Sequence, residues 1–241
     1  MATQLDRKTL AGLIGLVAHD LRSPLTALQS NLDFAGRELG KAGPHARDAI
    51  QDGLLSCDSF AHVIENCDLL VAVLNDQAPA PLAPVSVAAV LDQVAARCGN
   101  VAVSYGQTIE VRAADEVRAL DVRSDADMLG RALINLVRNS AQHSPPNATL
   151  LVTAGLVSGA QADGELVELC VHDQGAPLPE ALYEAAFTAE GQLSEALHRT
   201  RYGRGMGLYC AQIAASLCGA RLQVVQRPEG RCSFSVQVAR A

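Results

Sequence analysis

A chain of 241 residues with 49% hydrophobic side chains carries enough apolar material for one large core or two smaller ones, and it reads as globular. The formal net charge of -7 and the lack of any Lys/Arg run exclude the basic face that a nucleic-acid partner would need. The seven cysteines are scattered, odd in number and without a CxxC pair, so they support neither a disulfide framework nor a zinc site and fit a reducing cytoplasm.

At the N-terminus, Arg7 and Lys8 followed by "TLAGLIGLVA" imitate a signal peptide. No A-x-A-like cleavage site follows, and the run passes straight into "HDLR". No apolar stretch is long enough to cross a bilayer, so a soluble chain is expected. Leu10, Leu13, Val17, Leu21, Leu25, Leu28, Leu32, Ala35 and Leu39 recur at intervals of three or four and predict one long helix. "GKAGPH" supplies turn chemistry, and Ile50, Leu54, Cys57, Ala61 and Ile64 continue the stripe on a second helix to about Asn75. Two helices cannot enclose such a stripe, so a dimeric four-helix bundle is expected.

Within the first helix, "HDLRSPL" sets His19 about 200° around from Val17, which predicts an imidazole facing solvent. A neutral imidazole has a nucleophilic ring nitrogen at pH 7. Ser23, four residues on, shares its face, and Pro24 removes a donor and is expected to bend the helix. Taken alone, this histidine reads better as an ordinary surface residue in a helix that tolerates a proline.

The proline-rich "QAPAPLAP" marks a boundary at 77–84, dividing a helical hairpin (1–76) from a mixed domain (85–241). That domain is expected to hold a helix near 87–97, strands in "TIEVRAA" and "VRALDV", and a helix over 125–142. Strands near 148–157 and 166–172, a helix over 206–218 and a closing hairpin from "ARLQVVQ" and "CSFSVQV" follow. The cores rest on aliphatic side chains, since the chain has four phenylalanines, four tyrosines and no tryptophan.

Three stretches of this domain carry candidate chemistry. In "DADMLGRALINLVRNSAQHS", Arg131, Asn135, Asn139 and His143 recur at intervals of four beside an apolar face, and neutral amide oxygens suit Mg²⁺. The same pattern fits a surface helix with two asparagines. "VHDQGAPLP" places Asp173 and Gly175 after a β-prone run, and "YGRGMGLY" places Gly203, Gly205 and Gly207 before a helix, where backbone can approach phosphate closely. A G-x-G-x-G string alone is a weak signal.

Together these strings resemble the sensor histidine kinases of two-component systems. "HDLRSPL" resembles their phosphoacceptor box, "INLVRNSAQH" the N-box, "DQGAP" the G1 box and "GRGMGL" the G2 box, in the family's order and over nearly the whole chain. The resemblance implies a dimerisation and histidine phosphotransfer hairpin followed by an α/β sandwich of the Bergerat type. It implies ATP and Mg²⁺, with His19 phosphorylated, Asp20 as neighbouring base, Asn135 and Asn139 in the nucleotide site and Asn139 on the metal. Asp173 would accept from adenine, with Gly175, Gly203, Gly205 and Gly207 around the nucleotide and residues 188–202 as a lid, and Phe187 resembles the F-box phenylalanine. Gln142 stands where the family often has lysine, Pro177 where it has the second G1 glycine, and Ser23 where it usually has Thr or Asn for dephosphorylating the regulator. These departures motivate a rival reading, a phosphotransfer protein or pseudokinase scaffold. The implied partners are a second copy, a response-regulator receiver domain, and a separate sensory partner, since about eighteen residues precede His19. No nucleic acid is expected, and the family places the protein in the bacterial cytoplasm.

Overall fold

The computed structural model describes residues 7–38, 45–75, 77, 79–158, 164–172, 174–194, 205–227 and 231–241. The chain falls into two compact units, Met1–Asp76 and Gln77–Ala241. No described helix is long and apolar enough to cross a membrane.

The first unit pairs α1 (Arg7–Glu38) with α2 (His45–Leu74). Small residues form the inner face: Ala35, Ala49, Gly53 and Ser56 are buried, and a Cβ on Gly53 would meet Leu28 Cδ1 at 3.6 Å. The apolar stripe expected on the second helix lies beside that inner face, not within it. Ile50, Leu54 and Ile64 are 50%, 60% and 55% exposed, and Leu25 and Leu32 of α1 are 45% and 58% exposed. Small side chains thus occupy the middle of the inner face, Leu69 and Leu70 are buried further along α2, and Leu25, Leu32, Ile50, Leu54 and Ile64 remain exposed.

The second unit opens with β1 (Ala83–Ser86), which pairs antiparallel with β3 (Asp121–Ser124) in a separate two-stranded sheet. Between them come α3 (Val87–Ser104), β2 (Thr108–Ala113) and the single turn α4 (Asp115–Arg118). The Ser86 hydroxyl caps α3 by accepting from the Ala89 N–H. This helix outruns the expected end at 97 because Cys98, Val101 and Ala102 prolong its buried face. "VRALDV" is half wrong as a strand: Asp115 and Glu116 begin a helical turn that buries Val117, and extended structure starts only at Asp121.

Next come α5 (Ala126–His143), β4 (Thr149–Ser158), β5 (Glu165–His172), α6 (Ala189–Gln192), α7 (Gly207–Leu217), β6 (Arg221–Gln226) and β7 (Cys232–Ala239). The main sheet has the order β2-β4-β5-β7-β6, with only β2 and β4 parallel. Its register makes the two faces explicit. Val111, Val152, Val171, Phe234 and Val224 stand in one row across the strands, and Arg112, Thr153, Cys170, Ser235 and Gln223 in the next. Period-two alternation thus gives one apolar face, covered by α3, α5 and α7, and one polar face.

On the polar face, His172 ends β5 with 7% exposure. Its Nε2 lies 2.8 Å from Thr153 Oγ1 and 3.2 Å from Arg227 Nη2, and its Nδ1 lies 2.8 Å from Ser233 Oγ. Arginine only donates, so Nε2 accepts and the ring is neutral with its proton on Nδ1. Burial first, and the Arg227 charge second, push His172 down from 6.5 to about 4, against the opposing pull of Glu168. A depressed histidine stabilises the fold fully above its unfolded pKa of 6.5 and loses that contribution as pH falls towards 4. Urea unfolding at pH 7, 6 and 5 is expected to show a shallower loss of stability in His172→Gln than in the wild type. An unchanged slope would remove His172 as its source.

Packing is tightest at α6. The Thr188 hydroxyl caps it by accepting from the Gly191 N–H at 3.0 Å, and a Cβ on Gly191 would lie 1.8 Å from the Ala185 carbonyl oxygen. Gly191→Ala is expected to cost about 2 kcal/mol in denaturant unfolding, since backbone rather than a flexible side chain must move. Gly99→Ala, in α3 with nothing within 4 Å, should be neutral or stabilising in the same assay.

Candidate functional site

In the first unit, His19 and Asp20 lie within α1, which continues through Pro24 to Glu38. The His19 side chain, and with it the expected orientation towards solvent, lies outside the described residues. Asp20 is half-buried, and Ser23 is exposed. The Asp20 charge is felt at Cys67 of α2: burial first, then Asp68, then Asp20 raise that thiol above its ordinary value. Pro24 leaves the Asp20 carbonyl without its helical donor. Two residues further on, the Thr26 hydroxyl donates to the Arg22 carbonyl at 2.9 Å.

In the second unit, α5 buries Leu129, Leu133, Leu136, Val137 and Ala141. The Asp125 side chain caps its start by accepting from the Met128 N–H at 3.0 Å. Asn135 does not lie on an open polar stripe as its spacing suggested. It is 1% exposed, its Nδ2 donates to the Arg131 carbonyl at 3.0 Å, and its Oδ1 lies 3.7 Å from where a Gly207 Cβ would stand. The reason is tertiary: α7 packs on α5 and takes Asn135 into the contact. Asn139, one turn on, is half-buried, and its Nδ2 is buried with no hydrogen-bond partner among the described residues. Gln142 is exposed.

The structure therefore brings Asn135 and Gly207 together. Gly205 and the buried Met206 precede α7, whose first turn has neither an acidic residue nor a side-chain cap. Unsatisfied N–H groups at such an end suit an anion. Gly175 sits in a bend after β5, and Pro177 is exposed beside the buried Leu178. Asp173 and Gly203 lie outside the described residues, as do residues 195–204 of the expected lid. Phe187 packs edge-on against Phe234, ring centroids 6.2 Å apart.

A donor lacking an acceptor suits a phosphate oxygen, and the carbonyl oxygen of the same amide suits a hard cation. Asn139 thus fits both ATP and Mg²⁺. Sequence reasoning missed the groups that fix this end of α5. Gln107 donates to the Ala141 and Ser144 carbonyls, the Ser144 hydroxyl accepts from the Gln174 N–H, and the Gln174 side chain donates to the Thr149 carbonyl. No periodicity marks them, because each acts across more than twenty residues of chain.

Residues 124–241 match the family described as histidine kinase-, DNA gyrase B-, and HSP90-like ATPase. The sensor protein IrlS of Burkholderia pseudomallei is 28% identical over 90% of this chain and 44% of its own length. The signal transduction histidine-protein kinase/phosphatase MprB of Mycobacterium sp. (strain KMS) is 28% identical over 91% of this chain and 41% of its own. The chain thus spans less than half the length of these curated relatives. Among solved structures, full-length ShkA in complex with AMPPNP shares the fold with a TM-score of 0.57, at 17% identity over 90% of this chain and 46% of that one. Residues 124–241 thus match the histidine kinase-, DNA gyrase B- and HSP90-like ATPase family, and the chain as a whole is similar to proteins named as sensor histidine kinases.

Proposed function

We propose that this chain is an ATP-dependent protein-histidine kinase of a two-component system, which phosphorylates its own His19 and passes the group to an aspartate of a response regulator. The observation that carries the reading is Asn139: a buried amide donor without a partner, in an ATPase fold whose chain also bears "HDLRSPL" on a helical hairpin.

A ring nitrogen of His19 attacks the γ-phosphorus of ATP. The N–P bond forms as the bond to the ADP oxygen breaks, ADP leaves, and Asp20 takes the imidazole proton. Asn139 would hold Mg²⁺ through its carbonyl oxygen, and the ion, when bound, offsets the negative charge of the phosphates. Asn135 and Gly207 keep α5 and α7 in register, so that the open first turn of α7 faces phosphate. Asp173, Gly175, Gly203 and Gly205 complete the nucleotide pocket in this reading, and Gln142 approaches the γ-phosphate without adding charge. Ser23 would position water for dephosphorylating the regulator. The exposed apolar stripe on the hairpin supports a homodimeric bundle, against whose face the receiver domain docks.

Incubation with γ-labelled ATP and Mg²⁺ is expected to give acid-labile label on the wild type and none on His19→Ala. Asn139→Ala should lose at least about tenfold in labelling rate through the missing contact to the charged nucleotide. Absence of label on the wild type, beside an active control kinase, would move the protein to the phosphotransfer reading. Sedimentation should show a dimer that Leu54→Glu and Ile64→Glu dissociate, and a wild-type monomer at micromolar concentration would overturn the bundle.

A further inference from the structure

Gln107 lies 3% exposed between α3 and β2, where two turns interlock. Gly106 reverses the chain at φ 66°, and its carbonyl accepts from the Asn147 N–H at 2.8 Å. The Thr108 N–H donates to the Ala148 carbonyl at 3.1 Å, and the Gln107 N–H to the Ala102 carbonyl at 2.9 Å. From this fixed backbone the Gln107 side chain enters beneath the end of α5. Its Nε2 lies 2.9 Å from the Ala141 carbonyl, 2.9 Å from that of Ser144 and 3.3 Å from that of Pro145. The last carbonyls of a helix have no partner within it, so one amide from outside closes this end.

What this amide holds decides its role. Asn139 lies just before the final turn, two residues before Ala141. Ser144 immediately follows the helix, and its hydroxyl accepts from the Gln174 N–H at 3.4 Å, next to Asp173. The Gln174 Nε2 donates to the Thr149 carbonyl at 2.6 Å, tying the same segment to the start of β4. Gln107 therefore grips the point where the helix bearing Asn139 joins the segment bearing Asp173 and Gly175.

We infer that Gln107 is a positioning residue for nucleotide binding, which sets the last turn of α5 and, through Ser144 and Gln174, the segment after β5. The inference rests on the kinase reading above. It adds a residue that touches no nucleotide and acts through the carbonyls it holds.

The test compares the wild type with Gln107→Met, which keeps the length and removes the donor, and Gln107→Asn, which keeps the amide one carbon shorter. Val238→Ala is the control: Val238 is fully buried and pairs with Val167, towards the end of the sheet away from His172 and Ser233. Mg-ATP affinity is measured by calorimetry, stability by urea unfolding, and amide exchange across Asn139–Ser144 without nucleotide. Gln107→Met should bind ATP about tenfold more weakly, the loss expected from displacing one or two hydrogen-bonding groups. Gln107→Asn should lose less, and Val238→Ala should keep wild-type affinity despite a comparable stability loss. Faster exchange in Gln107→Met should be confined to Asn139–Ser144. Wild-type ATP affinity in a destabilised Gln107→Met would reduce Gln107 to a helix cap and overturn the inference, as would equal weakening by Val238→Ala. A wild type that binds no ATP would instead overturn the kinase reading, and unchanged exchange in Gln107→Met would then overturn the clamp by itself.

Discussion

The burial of α5 against the sheet, packed on both α3 and α7, is the constraint on which the second unit depends. Leu129, Leu133, Leu136 and Val137 have no exposed surface, and each such side chain contributes on the order of 1.5–3 kcal/mol when taken from water. That packing fixes the rotation of the helix about its axis. Once the rotation is fixed, Asn135 must enter the contact with α7, and Asn139 must stand at the edge of the buried region. The two amides share a residue type, but Asn135 is buried against the first residue of α7 while Asn139 is only half-buried.

Much of this was legible in the sequence, and the failures have physical causes. The rows across the sheet follow from strict alternation in stretches such as "CSFSVQV", where Phe234 and Val236 face helices while Ser233 and Ser235 face away. The "VRALDV" stretch looked extended because its valines and leucine suit strands, yet Val117 is buried from a helical turn. Pro84 read as linker but pairs with Arg123 in β1, a strand with a partner on one side only, where a missing N–H costs little. Asn135 was assigned by periodicity to an open stripe, and periodicity says nothing about which stripe another helix will cover. Gln107 and His172 carried no local pattern at all. Their partners come from β4, β7, the residue after β6 and the end of α5, so only the folded chain defines them.

The hairpin shows the same limit in another form. Its second helix carries two adjacent stripes at helical spacing, one of Ala49, Gly53 and Ser56 and one of Ile50, Leu54, Cys57, Ala61 and Ile64. The sequence advertises the second more strongly because its side chains are larger. The first stripe is nevertheless the buried one, where small residues let backbones approach closely, and Leu69 and Leu70 are buried further along the same helix. The large side chains left exposed on this stripe gain hydrophobic free energy only when another surface covers them. A sequence stripe therefore reports that burial is needed, while the size of its residues helps decide whether its own chain or a second one supplies it.

The end of α5 presents a contrast in how polar groups are treated. The carbonyls of Ala141 and Ser144 are satisfied by an amide that arrives from the turn between α3 and β2, and the Ser144 hydroxyl serves the neighbouring segment. One turn earlier, Asn139 Nδ2 is buried without a partner among the described residues, and Ser140 Oγ and Gln107 Oε1 are in the same condition. An unsatisfied buried group costs about 1–3 kcal/mol, and an aliphatic residue at position 139 would avoid it. In the kinase reading proposed above, the cost at Asn139 is returned when a ligand with a complementary atom arrives. A phosphate oxygen accepts from the amide nitrogen, and a hard cation takes the amide oxygen, so one side chain can meet both halves of a metal–nucleotide complex. That recovery requires the amide to be aimed before the ligand comes, because a side chain still free to turn would spend the gain on being ordered. Clamping the backbone just beyond Asn139 reduces that loss, which is why the well-satisfied carbonyls and the unsatisfied amide belong together.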